Sequence, residues 1–355
     1  MRLVLIGDGE SPHLLKWARA LAPHVDLWAL SSRGFLAGFD AVLPASRRLA
    51  LQTQPRFEGG NVRLLLQLPQ VLRWLRPIRA DWLHAHYLTS HGTLAWLAQR
   101  LGVRGRLCGS AWGSDILATP DRHAALAWLT RRVLAGCALS TSDSLHMAER
   151  MRALGAREVM VFPFGLEVLP AAAADKDDGL FFANRGLEPL YAPQRVIELF
   201  AGIATAWPAA RLVVANQGSQ REALEAQAAQ RGLSERVSFT GRLDAAEQAG
   251  WYARARWYLS LPQSDSVSVS VLEAMAHRCV PILSDLPANR ELVTHGRNGW
   301  ICPDGQLPTA AELDALRARA DAIGDANREW ISRHALFAQA VERFVARLYA
   351  FEERA

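Results

Sequence analysis

One stretch of the 355-residue sequence places serine hydroxyls and two carboxylates around the start of a predicted helix. Asp265 lies in a polar loop after a strand-like run, and Glu273 lies inside the helical segment 269–277. Free backbone N–H groups at a helix start, beside Ser268 and Ser270, favour an anion such as a phosphate. Two carboxylates beside an anion site fit a ligand that carries hydroxyl groups on both sides of a diphosphate. The alternative is that Ser and Asp cap the helix and Glu273 is a solvated surface residue.

Other glycine and cysteine patterns argue against several classes of protein. Gly7 and Gly9 follow the first strand, but Pro12 occupies the place of the third glycine of a dinucleotide fingerprint. The sequence contains no G-x-x-x-x-G-K-[ST] motif, so a nicotinamide dehydrogenase and a P-loop enzyme are both disfavoured. The four cysteines show no CxxC pair or metal-ligand spacing, which favours reduced thiols in a cytosolic protein.

The charge of the chain is unevenly distributed. The formal net charge is +5, yet residues 1–175 carry +7 and residues 176–355 carry −2, and only two of the 40 basic residues are lysines. A basic first half suggests nucleic acid, an anionic membrane surface or an anionic substrate as its partner. No run of about 18 uncharged apolar residues predicts a membrane span, and the first seven residues are too quickly polar for a signal peptide.

Short apolar strands alternate with amphipathic helices along both halves, which predicts parallel sheets with helices on both faces. Two such doubly wound domains place a ligand crevice at the carboxyl ends of their strands. Small and charged residues at 169–178 predict a linker between them. The predicted strands are 2–7, 25–30, 82–86, 106–111, 159–162, 180–183, 211–215, 237–240, 257–261 and 280–284. The predicted helices are 14–21, 93–101, 193–207, 220–232, 269–277 and 333–353.

Several motifs together resemble the retaining family-4 glycosyltransferases, which have the GT-B fold of two Rossmann-like domains that face a central cleft. Asp265-x7-Glu273 resembles the E-x7-E segment of the family, and 237–241 and 281–285 resemble the strands on either side of it. Three first-half motifs resemble a bacterial branch that builds cell-surface polysaccharides: Ser11-Pro12-His13, His84-Ala85-His86-Tyr87 and Trp112-Gly113-Ser114-Asp115-Ile116.

The resemblance assigns the second half to a nucleotide-sugar donor. It implies that Glu273 holds the nucleotide ribose, that Asp265 contacts the donor sugar near its reacting carbon, and that Arg185 neutralises the diphosphate. Fixed donors and a cation would stabilise the charge of the departing diphosphate without a metal or another cofactor. The alternative for Arg185 is a solvated loop arginine. The other donor-side residues are Gly241, Ser268, Val269 and Ser270.

The resemblance assigns the first half to the acceptor. Asp115 and His13 are predicted to act beside Asp265 in catalysis, with Asp115 orienting an acceptor hydroxyl. A histidine at a strand end, such as His86, is more often a buried structural residue than a ligand contact. The acceptor-side residues are His86, Trp112 and Ser114.

The sequence departs from the family pattern in three places. Asp265 is one methylene shorter than the usual glutamate, Pro189-Leu190-Tyr191 stands where the family carries a diphosphate lysine, and Trp112 replaces a histidine before Gly113. These departures leave two alternatives open. One is a catalytically weakened nucleotide-sugar-binding protein, and the other is a nucleotide-sugar epimerase on the same fold.

The resemblance thus implies a hexosyltransferase that moves a sugar, with retention, from a nucleotide-diphosphate sugar to a saccharide or lipid-linked acceptor in cell-surface polysaccharide synthesis. Front-side attack, in which the departing phosphate takes the acceptor proton, is the implied mechanism.

Residues 64–79 combine apolar residues, Trp74 and three arginines, so a cytoplasmic protein touching the inner face of an anionic membrane is expected. The alternative is a core helix with snorkelling arginines. No nucleic-acid-binding module is present. The predicted domains are 1–168 (acceptor), 179–330 (donor) and a helix at 331–355 that packs on the first domain.

Overall fold

A computed structural model describes residues 1–53, 62–171, 175–303, 306 and 308–353. The chain forms two compact units, one of Met1–Pro163 with Phe337–Ala355 and one of Phe164–Leu336. The chain therefore passes between the units a few residues from the predicted boundaries at 168 and 331. Residues 172–174 of the predicted linker lie outside the described residues. The linker ends earlier than expected, because Asp177 and Asp178 already belong to a strand.

A seven-stranded parallel sheet forms the centre of the first unit, in the order β3-β2-β1-β4-β5-β6-β7. Its inner strands are buried on both faces, which explains why they read as short apolar runs. The strands are β1 (Arg2–Gly7), β2 (Asp26–Ser31), β3 (Arg48–Ala50), β4 (Trp82–His86), β5 (Arg106–Ser110), β6 (Cys137–Ser142) and β7 (Val159–Val161).

Helices cover both faces of this sheet. The helices are α1 (Pro12–Leu21), α2 (Val62–Leu65), α3 (Leu68–Ile78), α4 (Thr93–Arg100), α5 (Ser114–Leu117), α6 (Thr119–Arg122), α7 (Ala124–Gly136) and α8 (Leu145–Ala153). A π-helical turn, Tyr87–Gly92, joins β4 to α4, and two 3-10 turns, Ala37–Ala41 and Ala45–Arg47, precede β3. The predicted helix 64–79 is interrupted, because α2 ends at Leu65 and α3 starts anew with Pro69 in its first turn.

A six-stranded parallel sheet forms the centre of the second unit, in the order β10-β9-β8-β11-β12-β13. The strands are β8 (Asp177–Ala183), β9 (Arg211–Ala215), β10 (Val237–Gly241), β11 (Ala255–Ser260), β12 (Val280–Ser284) and β13 (Trp300–Cys302). The helices are α9 (Pro193–Ala206), α10 (Arg221–Gln230), α11 (Ala245–Arg254), α12 (Val269–Ala276), α13 (Pro287–Leu292), α14 (Ala310–Arg317) and α15 (Ala320–His334). A further 3-10 turn, Pro189–Tyr191, precedes α9.

The last helix, α16 (Phe337–Glu352), belongs to the first unit and packs on α1. Trp17 of α1 is fully buried, and its ring lies 5.0 Å from Phe337 and 5.4 Å from Phe344 between ring centroids. The predicted helix 333–353 is present from Phe337 to Glu352, but its predicted start is wrong. The helical run breaks at 335–336, where the Leu166 N–H donates to the Ala335 carbonyl (2.9 Å) and so holds this segment in the second unit.

Three strands carry no strand prediction. Strand β6 contains the buried polar residues Ser140, Thr141 and Ser142, so it lacks the apolar run that marks a buried strand. Strands β3 and β13 are only three residues long. The other predicted strands and helices are present, with ends that differ by a few residues, and several further helices, among them α7, α8 and α11, carry no helix prediction.

Candidate functional site

The predicted donor-side residues lie in the second unit, at the carboxyl ends of β8 and β11. These two strands are neighbours, and the strand order reverses between them. Loops diverge at such a switch point and leave a crevice, which is where open α/β sheets bind ligands. Arg185 follows β8, and the loop with Asp265 and Ser268 follows β11.

Arg185 is held by the β11–α12 loop. Its Nη2 donates to Asp265 Oδ2 at 2.5 Å, and its Nη1 donates to Ser268 Oγ and to Ser270 Oγ, the latter at 3.2 Å. The guanidinium also lies 4.4 Å from the centre of the Tyr191 ring, within the range of a cation–π contact. Arg185 is therefore a fixed, partly buried cation, and the alternative of a solvated loop arginine is wrong.

One donor of this guanidinium is unused. Among the described residues, the buried Nε–H of Arg185 has no hydrogen-bond partner. A buried guanidinium donor without a partner carries a desolvation cost that an anionic ligand would remove. This observation supports an anion site at Arg185.

Ser268 is the N-cap residue of α12, but its hydroxyl does not cap the helix. Instead it contacts Arg185 and, at 2.8 Å, the hydroxyl of Ser270. The N–H groups of the first turn are therefore not taken by this side chain, and Val269 provides the first of them. A helix start of this kind, with a cation beside it, has the polarity that a phosphate requires.

In the structure, Asp265 holds Arg185 in place, a role that the sequence did not predict. Burial raises the pKa of its carboxyl, and the neighbouring Arg185 guanidinium opposes that rise only in part. Its Oδ1 also accepts the N–H of Ser266 at 3.0 Å. The carboxylate thus fixes Arg185, while its predicted contact with a donor sugar stays a prediction.

Glu273 is oriented by residues that sequence motifs do not single out. Its Oε2 accepts from the Tyr252 hydroxyl at 3.1 Å and from Gln248 Nε2 at 3.2 Å. Tyr252 is 1% exposed, and burial raises the pKa of its hydroxyl, which therefore keeps its proton. The predicted solvated-face alternative for Glu273 does not fit these contacts.

The same network reaches back to the loop after β8 that carries Arg185. Asn184 Nδ2 donates to the Tyr252 hydroxyl at 2.8 Å, and the Tyr258 hydroxyl donates to Asn184 Oδ1 at 2.8 Å. Asn184 adjoins Arg185 in the sequence, so its position beside the motif is a signal that could have identified it. Tyr252 and Tyr258 lie on elements with no motif.

Gly241 closes β10 at the same edge of the sheet. Its φ of +76° lies in the left-handed region that favours glycine. Its carbonyl accepts the Asn216 N–H at 2.6 Å, and this hydrogen bond joins the ends of β9 and β10. Gly241 therefore shapes the sheet edge, and its predicted donor contact stays a prediction.

The predicted acceptor-side residues of the first unit cluster around Trp112. The Trp112 Nε1–H donates to His86 Nδ1 at 3.2 Å, and the ring centroids of His13 and Trp112 are 4.8 Å apart. Tyr87, which no motif argument singled out for a role, stacks on Trp112 at 5.8 Å with a positive φ of 59°. Ser114 is the first residue of α5 and is half-buried.

Asp115 stabilises the loops that carry this cluster. It is 2% exposed, and its two carboxylate oxygens accept the N–H groups of Leu88 (2.8 Å) and Trp112 (2.9 Å). Burial raises the pKa of Asp115 to about 6, against the lowering effect of these hydrogen bonds. The carboxylate is engaged on both sides, so the geometry gives it a structural task, and its predicted contact with an acceptor stays a prediction.

Three buried histidines lie along β4 and the turn that follows it. Burial lowers the pKa of His84 to about 3, that of His91 to about 4 and that of His86 well below its ordinary value. His84 Nε2 contacts Ser110 Oγ at 2.7 Å. The structure therefore agrees with the reading of His86 as a buried residue, neutral at pH 7, that supports Trp112.

Comparisons with known proteins now bear on this site. Residues 2–144 match the family model described as "Glycosyl transferase 4-like", and residues 168–320 match the model described as "Glycosyl transferases group 1". Each match lies within one of the two units.

Two curated relatives are mannosyltransferases. The chain is 27% identical over 42% of its length to a GDP-mannose:cellobiosyl-diphosphopolyprenol alpha-mannosyltransferase of Xanthomonas campestris. It is 29% identical over 48% of its length to a phosphatidyl-myo-inositol mannosyltransferase of Mycobacterium leprae. The matched part of the chain spans less than half of these relatives, 39% and 46% of their respective lengths.

Solved structures confirm the fold. Anabaena HepE in complex with UDP superimposes with a TM-score of 0.78 at 14% identity, over 99% of this chain and 100% of that chain. Sucrose-phosphate synthase from Thermosynechococcus elongatus superimposes with a TM-score of 0.77, also at 14% identity, over 99% of both chains.

The predicted GT-B fold and family are thus confirmed by the two parallel sheets, the two family models and the mannosyltransferase relatives. The two family models together span most of the chain, which therefore belongs to the family-4-like glycosyltransferases of the GT-B fold.

Proposed function

We propose that this chain is a hexosyltransferase that moves a sugar from a nucleotide-diphosphate donor to a saccharide or lipid-linked acceptor, with retention, in cell-surface polysaccharide synthesis. One observation carries the proposal. Arg185, the uncapped start of α12 and Glu273 converge at the strand switch of the second unit. The names of the relatives support this substrate class, since they include GDP-mannose as a donor and diphosphopolyprenol-linked saccharides as acceptors.

The chemistry follows from the charges of this site. As the bond between the anomeric carbon and the diphosphate breaks, negative charge grows on the departing phosphate, where Arg185 and the first N–H groups of α12 stabilise it. The acceptor hydroxyl oxygen attacks the same face of the sugar and gives its proton to that phosphate oxygen. Glu273, oriented by Tyr252, would accept hydrogen bonds from the ribose hydroxyls. Because protein groups supply the positive charge, the proposal includes no metal and no cofactor.

The predicted location and membrane contact remain part of this proposal. No helix among the described residues is long and apolar enough to cross a membrane. To use a lipid-linked acceptor, the chain would have to contact the surface of the membrane that holds the acceptor.

The first experiment is a thermal-shift screen with UDP-, GDP-, ADP- and TDP-sugars. A donor at 100 times its Kd should add about 2.7 kcal/mol to the stability of the folded chain. Arg185→Ala should lower kcat by roughly 10²–10³, since it removes a donor that acts on the developing charge. The absence of a shift with every donor would refute the donor site.

Arg211→Ala is the matched control for Arg185→Ala. Arg211 also pairs with an aspartate, Asp177 at 2.6 Å, but it is the first residue of β9 and lies at the amino ends of the strands, opposite the site. We expect donor turnover to survive in this variant. Donor binding without any turnover or hydrolysis would favour the weakened binding protein, and donor conversion without an acceptor would favour the epimerase.

A further inference from the structure

The positive charge of the first unit is concentrated in one part of its sequence. Residues 59–142 contain ten arginines, no lysine, no glutamate and three aspartates. This segment alone therefore accounts for the excess charge of the first half of the chain. Its main helices are α3, α4 and α7.

These three helices lie side by side on one face of the first sheet. Helix α3 contacts α4, and α4 contacts α7. They connect β3 to β4, β4 to β5 and β5 to β6, and all three connections run in the same direction along the sheet. Because connections between parallel strands are right-handed, helices of connections that run in one direction lie on the same face of the sheet. Their solvent-facing sides, together with the adjoining α2 and the loop after α4, form one surface, which we call the arginine face, and it carries Arg63, Arg73, Arg79, Arg104, Arg131 and Arg132.

The guanidinium groups of the arginine face have no carboxylate partners. Within the part of the chain that the structure describes, none of the six forms a salt bridge, although all six are exposed. Elsewhere in the same unit, Arg150 pairs with Asp121 and Arg347 pairs with Glu158. The face thus presents several guanidinium groups and little negative charge, and such groups bind phosphate oxygens in a bidentate manner.

Helix dipoles explain only a part of this pattern. Cations near helix C-termini are stabilised, which accounts for Arg63 in the last turn of α2 and Arg79 directly after α3, whereas Arg104 lies beyond the last turn of α4. Arg73, Arg131 and Arg132 lie before the last turns of α3 and α7. These three positions need another reason.

Large apolar side chains stand exposed among these arginines. Leu66, between α2 and α3, is 70% exposed, and Trp128 on α7 is 53% exposed. Arg132 lies 5.5 Å from the Trp128 ring. Leucine and tryptophan beside arginine are the residues that interfacial helices insert at the boundary between headgroups and acyl chains.

We propose that the arginine face docks on a bilayer that carries anionic phospholipid, with three helices of the first unit contributing rather than the segment 64–79 alone. Charge complementarity with phosphate headgroups carries the proposal, and the exposed Leu66 and Trp128 favour a bilayer over a nucleic acid. The docking rests on the membrane contact of the proposed function, and its test needs neither donor nor acceptor.

Co-sedimentation with vesicles tests the docking. The full chain should bind vesicles of phosphatidylglycerol and phosphatidylcholine, and should bind phosphatidylcholine alone far more weakly. Each arginine contributes about fivefold at an anionic surface, so combining Arg73→Gln, Arg104→Gln and Arg131→Gln should weaken binding on the order of a hundredfold. Raising the salt concentration from about 0.1 M to about 1 M should also weaken vesicle binding, since the screening length falls to about 3 Å.

The matched control combines Arg231→Gln, Arg297→Gln and Arg343→Gln. These arginines are also exposed, and their replacement removes the same charge from surfaces outside the arginine face. The control should keep most of the binding. Equal losses in both triple variants would show that only net charge matters and would overturn the proposal.

A second variant keeps the test valid if the arginine triple variant folds poorly. Trp128→Gln leaves the charge unchanged and should weaken vesicle binding by up to about tenfold, because the indole no longer enters the interface. Equal binding to both vesicle types would overturn the proposal, and so would binding of these arginines to RNA with no binding to either vesicle. Donor-induced thermal shifts should be unchanged in all of these variants, so a failed docking proposal is distinguishable from a failed donor site.

Discussion

Acidification should destabilise the first unit, because three buried histidines of that unit are neutral in the folded state. The pKa of His84 is lowered to about 3, that of His91 to about 4 and that of His86 well below its ordinary value, in each case mainly by burial. The ordinary pKa of histidine is 6.5, so between pH 6.5 and pH 4 the unfolded chain binds up to three protons that the folded chain does not bind. The contribution of the neutral histidines to the free energy of unfolding is therefore complete above pH 6.5 and is lost as the pH falls below it.

Asp115 acts in the opposite direction. Its folded pKa of about 6 lies above the ordinary 3.8, so between these values the folded state holds a proton that the unfolded state lacks. Near pH 5 the unfolded first unit therefore binds about two more protons than the folded one. Each proton changes the free energy of unfolding by about 1.4 kcal/mol per pH unit, which gives a loss of roughly 2–3 kcal/mol per unit. That is a large fraction of an ordinary folding free energy.

Hydrogen–deuterium exchange at pH 7, 6 and 5, corrected for intrinsic rates, resolves the first unit from the second. Peptides that cover β4 and β5 should lose protection as the pH falls. His91→Gln should remove about half of the slope, whereas His24→Gln, at an exposed position, should leave it unchanged. Protection of β4 that stays constant from pH 7 to pH 5, or an equal slope in His91→Gln, would refute this reasoning.

Three further substitutions test the contacts around the site. Tyr252→Phe removes the hydroxyl between Asn184 and Glu273, so it should lower the free energy of unfolding by about 1–3 kcal/mol in chemical denaturation. It should also raise the donor KM more than it lowers kcat. Tyr349→Phe, which removes a hydroxyl at the surface, is the control. Tyr191→Leu should raise the donor Kd by a few-fold in calorimetry, since the loss of the cation–π contact frees the guanidinium, and an unchanged Kd would contradict that role. Gly113→Ala should cost about 1–3 kcal/mol, because its φ of +103° is strained for any other residue, and an unchanged Tm would show that the loop relaxes.

The sequence predicted the parts that depend on local pattern. Alternating apolar runs and amphipathic segments indicated two parallel sheets, since buried parallel strands are apolar on both faces. The Asp265-x7-Glu273 spacing identified the loop and helix of the proposed donor site. Local pattern failed at β6, where buried serines and a threonine replace the apolar run, and at 335–336, where a contact with Leu166 interrupts a sequence of good helix formers.

Tertiary structure decided what each site residue contacts. The pairing of Arg185 with Asp265 and the support of Glu273 by Tyr252 join residues that are 80 and 21 positions apart in the chain. Periodicity and spacing describe neighbours along the chain, whereas these contacts arise only when the ends of adjacent strands meet at one edge of a sheet. The sequence by itself therefore determined the alternation of strands and helices, the family and the motif residues, and only the packing of those elements decided that Asp265 holds Arg185 and that Asp115 holds two backbone amides.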